Sequence, residues 1–71
     1  MTDYNKLLKT ITQGNYKYFI KGLKDCFTLN DFSNQEIEIT NAYNQGLITE
    51  NQLLKLDQKM IDRINDLELY D

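Results

Sequence analysis

Apolar residues recur three and four apart along nearly the whole chain, the spacing that lines one face of a helix. Tyr4, Leu7, Leu8 and Ile11 share such a face, with Thr2 placed to cap the start and Gly14 to stop the helix. A second segment begins near Asn15 and puts Tyr16, Phe19, Ile20, Leu23, Cys26 and Phe27 on one side, with Lys17, Lys21 and Lys24 off it. A β-hairpin within residues 16–29 is the competing reading. The helical spacing runs unbroken through Phe27 and favours the helix.

The later half carries sharper punctuation. Ser33 and Glu36 have capping-box spacing, with Phe32 and Ile37 placed as a hydrophobic staple; Thr49 and Gln52 repeat the box, with Ile48 and Leu53 as the staple. Between the two starts Ile39, Ala42 and Tyr43 share a face, and Gly46 supplies the left-handed residue that ends the third helix. The fourth runs from about Glu50 to about Leu67. The pattern predicts an all-α fold: one domain over residues 1–71, a small bundle of four short helices ending in an antiparallel helical hairpin. The turn at Gly46 also has the Ala42–Gly46 spacing of a DNA-reading elbow. However, Gln52 stands where such an elbow buries an apolar residue, and Glu50 stands where phosphates would approach. We expect a hinge.

Charge sharpens this picture. The formal net charge is -3, yet residues 1–30 carry five lysines against Asp3 and Asp25, while residues 31–71 carry nine acids against Lys55, Lys59 and Arg63. Two uses follow: docking of a basic front on an acidic back, or display of an acidic face to a basic partner. No apolar run approaches the roughly 20 residues of a membrane span. The N-terminus lacks the apolar core of a signal peptide, and the single cysteine, Cys26, cannot form an internal disulfide; both point to the cytoplasm. Richness in Asn, Lys, Ile and Tyr without Trp, Pro or His suggests AT-rich coding, as in low-GC bacteria and their phages.

Groups for catalysis are scarce. Without His there is no Ser/His or Cys/His pair, and the commonest metal ligand is missing. Cys26 falls on an apolar face as a small core residue, three scattered glycines make no phosphate loop, and Glu36/Glu38 and Asp62/Asp66 read as solvated helix faces. We therefore expect no enzyme, no cofactor and no metal. Binding candidates are clearer. Asp57 lies inside the apolar arc of the fourth helix, where a carboxylate needs a partner. That arc (Leu53, Leu56, Met60, Ile64 and Leu67) is widened by Leu54 and Ile61, as for a helix that meets a second chain. Tyr18, flanked by Lys17 and Lys21, points away from Tyr16, Phe19 and Leu23 and suits an interface anchor or a base-stacking platform.

The segment Gly46 to Asn65, "GLITENQLLKLDQKMIDRIN", resembles the second helix of the small helical-hairpin phosphatases that dephosphorylate aspartyl-phosphorylated sporulation regulators. Those proteins carry a Ser-Gln-x-Leu-Asp signature after a similar turn. Here Gln58 matches and Met60 replaces Leu, but Asp57 stands for the Ser and Ile61 for the Asp on which that activity depends. The function expected from the residues is instead that of a small acidic protein-binding module. In this reading it is a phage- or mobile-element-encoded inhibitor or modulator of a host protein, such as a nucleic-acid enzyme or a defence factor. Its partner surface comprises Tyr18, Lys17, Lys21, Leu54, Asp57, Ile61, Asp62 and Asp66. A homodimer is a further expectation. The alternatives are a nucleic-acid-binding regulator using the basic front helices, and the phosphatase.

Overall fold

Among the described residues three helices form, not four. In the computed structural model, which describes residues 2–69 apart from the side chains of Thr2 and Asp3, α1 runs Thr2–Lys24, α2 Leu29–Asn44 and α3 Glu50–Asp66, and no strand occurs among the described residues. The two front segments are one helix because Gly14 does not interrupt its apolar phase. Leu8, Thr12, Phe19 and Leu23 stay on one face at 3.6-residue spacing. A helical glycine costs about 1 kcal/mol relative to alanine, less than a break in a helix anchored this well would cost. The proposed N-cap side chain of Thr2 lies outside the described residues.

The start of α2 also differs from the expectation. Thr28, not Ser33, is the N-cap: its hydroxyl accepts from the Asp31 N–H at 3.1 Å, and the Asp31 carboxylate accepts from the Thr28 N–H at 3.2 Å and the Phe27 N–H at 3.1 Å. Ser33 therefore lies within the helix. Phe32 points into the core and Ile37 outward, so they form no staple. The box at Thr49 and Gln52 is as expected, with 3.2 Å and 2.9 Å bonds, and Ile48 is buried beneath it.

Both later helices end in the same way. At Gly46, which has φ 76°, the Gly46 N–H reaches Tyr43 O and the Leu47 N–H reaches Ala42 O, the paired bonds of a Schellman motif. After α3 the pattern recurs, with Glu68 at φ 53° in the left-handed position, Glu68 N–H on Asn65 O and Leu69 N–H on Ile64 O. The turn between α2 and α3 is thus a closed hinge.

The core is Phe19, Leu23, Cys26, Phe32, Ile39, Ala42, Ile48, Leu56 and Met60, with Ile39 and Leu56 fully enclosed. Gly22 lets α1 approach α2. A Cβ there would come within 3.0 Å of the Gln35 amide, whose Oε1 is buried without a hydrogen bond among the described residues. The basic front meets the acidic back through this apolar packing and two polar clamps. The Asn15 amide donates to Leu47 O at 2.9 Å, and Arg63 binds the end of α1. Among the described residues no lysine–carboxylate pair joins the halves.

Because α1 is one helix, it outruns the hairpin. The α2–α3 turn meets it near Thr12 and Asn15, where Gly46, Ile48 and Thr49 face Asn5, Leu8, Lys9 and Thr12 across a groove. Residues 2–11 of α1, about 15 Å long, form an arm that meets the hairpin only across this groove. The molecule is 50 × 18 × 17 Å with a radius of gyration of 13.3 Å, against about 11 Å for a compact chain of this length.

Candidate binding surfaces

The eight candidate residues do not form one surface. Tyr18 lies over a groove on the α2 side of α1, with Glu38, Asn41, Gln45 and Leu47, and its ring meets Phe19 edge-on at 5.3 Å. Lys17 turns the other way, toward Thr49 and Gln52 of the α3 start, and with Lys21 borders a groove with Ile20, Lys24 and Asp25. A single helix accounts for the separation: neighbours in sequence sit about 100° apart. Fusion of the front segments also aligns Lys6, Lys17, Lys21 and Lys24 along the solvent side of α1, opposite Phe19 and Leu23.

The remaining five residues all lie on α3. Gln52 and Arg63 face α1, while Leu54 and Ile61, two turns apart and 58% and 52% exposed, lie on the outer side. Asp57 sits between them on the same face, half-buried, and its carboxylate takes no hydrogen bond among the described residues. The partner that its place in the apolar arc requires is absent among the described residues. Asp62 and Asp66 flank the apolar pair and are exposed, and the Gln58 amide donates to Asp62 at 2.9 Å. Asp71, a further acid near this end of the sequence, lies outside the described residues.

Sequence reasoning missed Arg63. Its Nε–H donates to Cys26 O at 3.1 Å and its Nη2 to Lys24 O at 2.8 Å, while the guanidinium lies 5.0 Å from the centre of the Phe27 ring. A cation thus satisfies carbonyls left free at the C-terminal end of α1, where the helix dipole favours positive charge. Phe27, expected on a buried face, is exposed and serves as the platform for this cation.

Two groups have shifted acidities. Burial, then the Asp31 charge, raises the Cys26 thiol, Arg63 opposing, and the thiol donates to Gly22 O at 3.3 Å. The N–H of Phe27, then the Thr28 hydroxyl, holds the Asp31 carboxyl below its usual range. Both belong to the junction between α1 and α2. Among the described residues no cluster of three His, Cys, Asp or Glu is placed to hold a metal ion, and no helix is long and apolar enough to cross a membrane.

Compared with known proteins, the chain matches no family model, no curated protein and no solved structure.

Proposed function

We propose that the chain is a small protein-binding module that presents the outer face of α3 to a basic surface on a cellular protein and blocks or redirects that protein. The observation that carries this reading is the exposed pair Leu54 and Ile61, set two turns apart beside Asp57, Asp62 and Asp66. Apolar anchors supply binding energy, and a surrounding acidic field selects a basic partner and speeds its approach. The rest of the α2–α3 half strengthens that field. From Asp25 onward the chain has ten acids against three bases, one of them Arg63, which is engaged by the end of α1. A host nucleic-acid enzyme, with its phosphate-binding groove, offers such a surface.

The test is affinity capture with the tagged chain, followed by purified binding. A partner with a basic contact surface should lose at least tenfold in affinity to Ile61→Lys and to Asp62→Lys. No retained protein, or a partner indifferent to both changes, overturns the proposal. One observation favours a second reading: the lysine line on the solvent side of α1 resembles a phosphate-tracking surface. In that case the chain binds single- or double-stranded nucleic acid, and affinity falls steeply with salt in proportion to the lysines engaged.

A further inference from the structure

The arm of α1 carries a second apolar surface, distinct from that on α3. Tyr4, Leu7 and Ile11 are 70%, 60% and 43% exposed, and Tyr18 continues the line at 65%. With Gly14 they occupy positions 4, 7, 11, 14 and 18, the alternating three-and-four spacing of a helix–helix seam. Lys6, Lys9 and Lys17 lie on other sides of the helix, and Lys21 follows the line only past Tyr18, so the seam is uncharged between Tyr4 and Tyr18. Gly14 is its one small residue, and nothing in the chain explains it: a Cβ there would meet no atom within 4 Å.

We propose that this ridge pairs with the same ridge of a second copy, the two α1 helices running antiparallel. In the register that alternates the two kinds of seam position, Leu7 packs on Ile11 of the second copy and Tyr4 lies over its Gly14. The two-fold axis then passes near Lys9, and each Tyr4 ring meets a Gly14 notch, while Tyr18 falls outside the overlap of the two ridges. The pairing is isologous and closes on itself, so it stops at two chains. The shape leaves surface to cover. A folded chain of 8.4 kDa exposes about 4,600 Å², whereas this one exposes 5406 Å². The surplus over the whole elongated molecule, about 800 Å², is of the order of one partner's share of a standard interface.

Sedimentation of the full chain from roughly 1 to 100 µM should show the mass of two chains, with dissociation in the micromolar range. Ile11→Lys and Gly14→Leu should each weaken the dimer at least tenfold. Gly14→Leu has room within the chain, so its helical signal should persist and separate lost pairing from lost folding. Mixed Leu7→Cys and Ile11→Cys chains should cross-link to each other faster than either does to itself. A wild-type monomer across that range overturns the proposal, as does a dimer that both substitutions leave intact. A monomer that instead sediments with anionic lipid vesicles through the same ridge also overturns it.

Discussion

Arg63 shows how much one side chain can hold in a small bundle. Its two hydrogen bonds are charge-assisted, and the planar fork reaches Lys24 O and Cys26 O together while lying over Phe27. A lysine cannot reproduce both contacts. Arg63→Lys should therefore lose most of what Arg63→Met loses, about 1–3 kcal/mol in urea unfolding, reduced by the half-exposure of the site. Equal stability of Arg63→Lys and wild type would contradict the fork. Glu68 poses the opposite case, a non-glycine residue at φ 53° closing α3. Left-handed backbone costs an L-residue about 1 kcal/mol, so Glu68→Gly should raise the melting temperature by several degrees. Cys26, buried with its thiol pushed up, should react with a thiol reagent only through opening of the chain. Since its folded pKa is raised, its contribution to stability is present below the unfolded value of 9.0 and fades as pH rises through the folded one.

Among the elements, starts were more legible than continuity. The Thr49 box and Gly46 could be read directly, because each depends on residues within one turn. The start of α2 was equally local but was hidden by a rival: Thr28–Asp31 and Ser33–Glu36 both have cap spacing, and only burial of Phe32 decides between them. Whether Gly14 ends a helix is a tertiary matter, settled by packing of residues on both sides of it against the hairpin. Arg63 was illegible because its partners are backbone atoms 37 and 39 residues away. The α3 stripe with Leu54, Asp57 and Ile61 was visible from spacing, but its separation from Tyr18 was not. The cap at α2 is testable by pH. Asp31 is more acidic folded than unfolded, so its contribution is present above the unfolded value of 3.8 and lost as pH falls through the folded one. Asp31→Asn should flatten the loss of melting temperature that the wild type shows below about pH 4.

At the scale of the whole molecule the arm is the unusual feature. Residues 12–24 of α1 are held by the core, Asn15 and Arg63, so their amides should exchange only when the bundle opens. Residues 4–11 share the same helix but have little beneath them, and Tyr4, Thr10 and Ile11 are not strong helix formers. In an isolated chain that arm should fray, exchanging faster than residues 15–24 while the core stays protected. Pairing changes the expectation in a distinctive way. Covering the ridge adds protection in proportion to dimer population, so exchange at residues 4–11 should slow as concentration rises through the dissociation constant, with residues 50–66 changing far less. A hydrogen-exchange series over that range therefore reads the arm against an internal standard. A monomer with a permanently rigid arm would give slow exchange at every concentration. A dimer through the outer face of α3 would place the concentration dependence at Leu54 and Ile61 instead, and the face proposed for a cellular partner would then be the face that pairs two copies.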